Sequence, residues 1–235
     1  MLLLNKGAKS MEIIPGIHKI DGVRGANCYF VTSNPEMVLI DTGMRGSSRK
    51  IADYVKRLGK NPSDIKYVIL THSDIDHVGG AAEIKHLTGA KLVIHKGDAG
   101  VLAGKEKGKH VKGLLGLIFK LMAPVMRFRN VQPDIVIKEN TDLAGFKIIH
   151  TPGHSDGSIC LFQPGKVLFA GDALRSDQSG NPRPPSKMLA ADIVQAKASV
   201  AAIAALEYDT LFVGHGAPVK GNAAARVKEL LANWQ

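Results

Sequence analysis

The stretch Thr71-His72-Ser73-Asp74-Ile75-Asp76-His77-Val78-Gly79-Gly80 places two imidazoles and two carboxylates within six positions, directly after the apolar run Tyr67-Val68-Ile69-Leu70. That run predicts a buried strand, and the Gly-Gly-Ala-Ala-Glu that follows the last histidine opens a helical pattern. The cluster therefore falls at the carboxyl end of a strand, where sheets with helices on their faces place ligands. Four such side chains on one tight turn repel one another or lose hydration unless a cation neutralises them. One or two divalent metal ions are the expected partner.

Around this stretch the chain alternates strand and helix signals. Glu12 to Ile20, Asn27 to Thr32 and Met37 to Ile40 read as three successive strands with short punctuation, an antiparallel start. The third runs into Asp41-Thr42-Gly43, ahead of a helix whose Ile51, Val55 and Leu58 keep the helical period; alone, Asp41 reads as a turn or helix cap. Lys91 to Ile94 is a further strand. Strands then return at 135–137, 146–149, 158–162 and 167–170 with the spacing of a meander. A proline-rich loop at 174–187, a helix carrying Ile193, Ala196, Val200 and Ile203, a strand at 211–213 and a closing helix with Val227, Leu230, Leu231 and Trp234 complete the chain. Two groups of strands with helices predict an α/β fold of two sheets packed face to face with helices outside both, in a single domain over 1–235.

Residues 100–130 interrupt the rhythm. From Lys96 to Asn130 eight basic residues stand against two acidic ones, so this segment holds most of the chain's net charge of +10. Within it Leu115, Ile118, Phe119, Met122 and Met126 lie at helical spacing, predicting an inserted helix that acts as a lid, forms a dimer surface or completes the core. The excess charge favours an anionic small-molecule substrate; nucleic acid is disfavoured, because no aromatic-interleaved basic stripe or recognition helix accompanies it. No apolar run reaches membrane-spanning length, and Met1 to Lys6 is too short for a secretory leader. Cys28 and Cys160 form no C-x-x-C pair and read as reduced core thiols, so a cytoplasmic location is expected.

Three further sites repeat the pattern of an apolar strand followed by a metal-capable residue among glycines: Ile149-His150-Thr151-Pro152-Gly153-His154, Ala170-Gly171-Asp172 and Val213-Gly214-His215-Gly216. Any single histidine of this kind is more often structural; four such sites together point to one metal centre. Their order and detail resemble the metallo-β-lactamase superfamily, glyoxalase II-like branch. The family's H-x-[H/E/D]-x-D-H matches His72 to His77, T-P-G-H-[S/T]-x-G-S matches Thr151 to Ser158, and L-I-D-T-G matches Leu39 to Gly43. The G-D and G-H-G motifs match at Asp172 and His215. The resemblance implies a four-layer αββα sandwich of mixed sheets with a binuclear centre between them. One metal would take His72, Asp74 and His154, the other Asp76, His77 and His215, with Asp172 bridging and Asp41 orienting a ligand. Zinc is the first expectation, with iron or manganese as alternatives: Asp74 stands where most hydrolytic relatives have histidine, and a third carboxylate suits a harder ion.

The resemblance also implies chemistry. Two divalent ions bring a trapped water toward ionisation at neutral pH and deliver hydroxide to a carbonyl or phosphorus, with Asp76 and Asp172 as the carboxylates nearest the reaction. No G-x-S-x-G elbow competes. A hydrolase of small thioesters, esters or lactones is the leading expectation. The alternatives are an iron-dependent persulfide dioxygenase-like enzyme using His72, His154 and Asp172, and a phosphodiesterase or nuclease. Arg183 and Lys187, soon after Asp172, are candidates for binding a substrate anion.

Overall fold

The computed structural model describes residues 11–33, 35–109, 116 and 128–234. In the first sheet β1 (Met11–Ile14), β2 (Ile17–Lys19), β3 (Tyr29–Val31) and β4 (Met37–Ile40) pair antiparallel in chain order. The same sheet continues in parallel through β5 (Ile65–Ile69), β6 (Lys91–His95) and β7 (Ile135–Ile137). The crossovers carry α1 (Ser48–Arg57), then the single turn α2 (Ile75–Val78) with α3 (Ala81–Thr88), then α4 (Lys96–Leu102). In the second sheet β8 (Thr141–Leu143), β9 (Phe146–His150), β10 (Ile159–Gln163) and β11 (Val167–Phe169) pair antiparallel. A two-stranded ribbon of β12 (Arg175–Ser176) and β13 (Pro182–Arg183) follows. Then come α5 (Ile193–Ala204), β14 (Thr210–Phe212), which joins β11 in parallel, and α6 (Ala223–Ala232).

Strand alternation sorts the apolar side chains into three packed layers. Tyr29, Val31, Val38, Ile40 and Ile69 of the first sheet meet Ile148, Ile159, Leu161, Phe169 and Phe212 of the second in a shared inner core. The intervening residues Phe30, Leu39, Val68 and Leu70 point the other way, against Ile51, Tyr54, Val55 and Ile84 of α1 and α3. On the far side Cys160, Leu168, Leu211 and Val213 pack on Val200, Ile203 and Val227 of α5 and α6. Because successive side chains on a strand face opposite sides, strands buried on both faces must be apolar at nearly every position, as these are. The result is a four-layer αββα sandwich of two mixed sheets. Each fully buried large side chain contributes about 1.5–3 kcal/mol.

Three strand expectations are corrected. The run from Glu12 to Ile20 is two strands, since Pro15-Gly16 turns the chain back on itself; Gly16 lies at φ +77°, and a β-carbon there would strike Ser33. Ile135–Ile137 does not begin the meander but closes the first sheet beside β6, and the unforeseen β8 takes the edge of the second. The cysteines lie in separate outer cores, both free, and burial pushes the thiol of Cys160 up to about 12. Most of the expected inserted helix lies outside the described residues, Leu115, Ile118, Phe119, Met122 and Met126 included. Among the described residues no helix is long and apolar enough to cross a membrane.

Candidate metal centre

The polar strand-end residues converge because both sheets present those ends at one edge of the sandwich. Strand β5 delivers Thr71 and His72. Asp74 then takes an extended backbone as the N-cap of α2, and that single helical turn projects Asp76 and His77. From the second sheet, β9 leads to His154, β11 to Asp172 and β14 to His215. Backbone bonds lock the two halves together. Ile159 N donates to Thr71 O at 2.9 Å and Asn27 N to Gly214 O at 2.8 Å.

The seven side chains form three overlapping groups whose ligand-capable atoms all lie within 4.8 Å of one another and can each hold a metal ion: His72, Asp74 and His154; His72, His77 and Asp172; Asp76, His77 and His215. Asp172 spans the set. Its Oδ1 is 3.3 Å from His77 Nε2, and its Oδ2 is 3.6 Å from His154 Nε2 and 3.5 Å from His215 Nε2. Asp76 Oδ2 is 3.1 Å from His215 Nε2. His72, His77, His154 and Asp172 make a buried floor, whereas Asp74, Asp76 and His215 form a rim reached by solvent.

The residues present fit a metal. Among the described residues, no hydrogen-bond partner reaches His72 Nε2, His77 Nε2 or Asp172 Oδ1, although all three are buried in one group. Each such atom costs about 1–3 kcal/mol if left unsatisfied. Imidazole nitrogens and carboxylate oxygens without thiolate suit zinc and harder divalent ions. Protonation in the metal-free chain shows the same demand for positive charge. Burial opposes a charge on His77, but the Asp41 and Asp172 carboxylates outweigh it and raise its pKa well above the usual histidine value. The hydrogen bond that His215 donates to Asp76 raises the pKa of His215, and the histidines around Asp172 hold its carboxyl far below the usual range despite burial.

Asp41, at the end of β4 with φ +58°, sits directly behind the cluster. Its Oδ2 is 2.8 Å from His77 Nδ1, while the Thr71 N–H and hydroxyl donate to its two oxygens at 2.8 Å each. That contact fixes the His77 ring with Nε2 turned toward Asp172. Arg183 and Lys187 are placed differently. The guanidinium of Arg183 pairs with Asp177 at 3.0 Å, and Lys187 lines a cleft beside Ile193, Lys197 and Trp234. Neither is brought to the seven-residue cluster. Their ribbon still bears on it from behind, since Ser176 N donates to His215 O at 3.1 Å.

The chain is matched over residues 21–215 by the family described as the metallo-beta-lactamase superfamily. It belongs to that superfamily. Among curated sequences it is 30% identical to a probable metallo-hydrolase, YflN, of Bacillus subtilis strain 168, covering 92% of this chain and 89% of the relative. Among solved structures, BJP-1, a subclass B3 metallo-β-lactamase of Bradyrhizobium japonicum, is 27% identical with a TM-score of 0.65, covering 95% of this chain and 90% of that one. A β-lactamase from Chitinophaga pinensis shares the fold at 22% identity, with a TM-score of 0.71 and 100% and 97% of the chains covered.

Several residues at this site escaped the sequence reading. Asp98 is the foremost. This buried carboxylate on α4 accepts from Ser73 N at 2.7 Å, Ser155 Oγ at 2.8 Å and Gly157 N at 3.0 Å, tying the His72 loop to the His154 loop. A signal existed: Ile94-His95-Lys96-Gly97-Asp98 repeats the strand-then-glycine-and-carboxylate pattern. Lys109, counted there only as part of the basic excess, places Nζ 2.6 Å from Asp74 Oδ2 and 2.6 Å from His154 Nε2. Asn27 Nδ2 donates to Val213 O and Gly216 O at 2.9 Å each, and the Tyr29 hydroxyl to Val213 O at 2.7 Å, holding the His215 loop.

At Gly214 the packing leaves no room for a side chain beside the cluster. A β-carbon there would meet Asp172 Oδ1, and His77 Cε1 at 2.7 Å. Gly214→Ala keeps all seven polar side chains yet displaces two of them, and a misplacement near 1 Å costs about 100-fold in rate. Elemental analysis of the purified variant is expected to show lowered metal content; wild-type metal content would mean the centre adapts.

Proposed function

We propose that this chain is a hydrolase of small thioesters, esters or lactones that works through two divalent metal ions, zinc first among them. One ion would be held by His72, Asp74 and His154, the other by Asp76, His77 and His215, with Asp172 between them. The observation that carries this reading is that His72 Nε2, His77 Nε2 and Asp172 Oδ1, buried within this cluster of donors, find no hydrogen bond among the described residues. When bound, such ions acidify water and polarise a carbonyl. The chain's own contribution is orientation. Asp41 holds His77, Asp98 holds the loops of His72 and His154, and Asn27 with Tyr29 holds that of His215. Asp76 on the solvent-facing rim and Asp172 on the floor would be the carboxylates nearest the reacting atoms. The name metallo-hydrolase carried by the B. subtilis relative supports the reaction class.

Elemental analysis of protein purified without added metal, followed by a panel of thioester, ester, lactone and phosphodiester substrates, tests the proposal. Two ions per chain are expected, with Asp76→Ala losing one ion and most of the turnover. Saturation at one ion, with His215→Ala retaining full turnover, would overturn it in favour of a mononuclear centre.

A further inference from the structure

The two triads are unlike in one respect that neither family nor fold dictates. The seat formed by His72, Asp74 and His154 already contains a cation. Lys109 Nζ lies 2.6 Å from both Asp74 Oδ2 and His154 Nε2, and the lysine side chain is only 10% exposed. A lysine is seldom buried to this extent without an anion to pair with. Among the described residues no lysine or arginine pairs with Asp76 or Asp172; their ion-pair partners are histidines.

Extending the two-metal reading, on which it rests, we infer that Lys109 is a resident cation of the first seat, exchanging with metal there, so that the two seats load unequally. The deciding atom is His154 Nε2, 2.6 Å from Lys109 Nζ and 3.1 Å from Asp74 Oδ2; with the ring proton on Nδ1 it is the acceptor for the ammonium. A carboxylate oxygen has more than one lone pair to offer, but a neutral imidazole has a single acceptor nitrogen with one lone pair. When that lone pair accepts a hydrogen bond from the ammonium it is not available to a metal, and an ion entering the seat must first turn Lys109 out. The two cations cannot stay together, because unit charges at such separations repel strongly in a partly buried site. Asp74 fits the arrangement. A carboxylate forms an ion pair with lysine that a neutral histidine in its place would not, so the residue that departs from the common hydrolytic pattern is the one the ammonium neutralises. At the Asp76, His77 and His215 seat an entering ion meets no lysine or arginine among the described residues. That seat fills first, and the Lys109 seat fills second and more weakly.

Titration of the metal-free chain with zinc, followed by calorimetry, reads the two steps separately. In the wild type two steps are expected, and Lys109→Met should strengthen the weaker one about 10-fold or more, since entry no longer breaks a charge-assisted hydrogen bond. The tighter step should not move. Lys109→Gln is the polar control, expected to behave like the Met variant. On the unaltered chain, carbodiimide coupling read by mass spectrometry should join Lys109 to Asp74 in the metal-free state and lose that product as zinc is added. Two wild-type steps left unchanged by both substitutions, or a weaker step made weaker still, would overturn the inference while leaving the two-metal reading standing. One ion in the wild type and two in Lys109→Met would support it and overturn the two-metal reading of the natural chain. One ion in all three chains would overturn both.

Discussion

Asp172→Ala is expected to leave neither triad able to retain metal through dialysis, and to lower turnover by more than about 100-fold. The figure is a lower bound, because partners that merely orient a ligand already cost about 10–100-fold when removed, and Asp172 faces the cluster directly. Its two oxygens lie 3.3–3.6 Å from the Nε2 atoms of His77, His154 and His215. Of the three carboxylates in the described cluster, Asp172 is the buried one; Asp74 and Asp76 sit at the rim. Without Asp172 the buried imidazoles lose the carboxylate nearest to them, and Asp74 and Asp76 at the rim are left to offset the desolvation of a divalent charge. Asp172→Asn separates shape from charge and should fail nearly as badly. Metal content by elemental analysis checks the result, with thermal unfolding to show that the variant remains folded. Retention of both ions by Asp172→Ala would remove Asp172 from the role.

Asp98→Ala should have the largest effect on stability among the residues of the centre. Its two oxygens accept three hydrogen bonds, from Ser73 N, Ser155 Oγ and Gly157 N, in a buried position. Truncation strands donors that water cannot easily reach, each costing about 1–3 kcal/mol. Allowing for partial relaxation, a loss of about 3 kcal/mol is expected, which lowers Tm by roughly 6–12 °C in a chain of this size. Ser155→Ala in the same background should add little, because the two residues share one network and their effects do not sum. A fall in Tm below about 2 °C would show that the loops are held by other means.

Much of this was legible in the chain because it is local. A strand that ends in a polar residue flanked by glycine declares itself within six positions, and four such endings lead to the cluster at the sandwich edge. What the chain does not declare is which distant segments meet. Ile135–Ile137 reads as the start of a meander by spacing alone; its parallel place beside β6 depends on a long connection bringing it back to the first sheet. Asn27 holds a loop 186 and 189 residues away, and nothing in its neighbourhood signals that. The lysine at 109 reads as one of many basic residues until the fold carries it to Asp74. The candidate site residues that stayed apart, Arg183 and Lys187, were singled out by closeness to Asp172 in the chain, and the ribbon of β12 and β13 turns Arg183 toward Asp177 instead.

The edge of the sandwich is stitched across its two halves at Thr71 with Ile159, Asn27 with Gly214 and Asp98 with Gly157. A metal that needs donors from both sides recognises only the chain in which those stitches have closed, so its binding free energy is added to that of folding by mass action. On the two-metal reading, ion supply then governs how long the protein lasts. A chain starved of metal opens more often and presents itself more often to proteases, while a replete one is protected long before it meets any substrate.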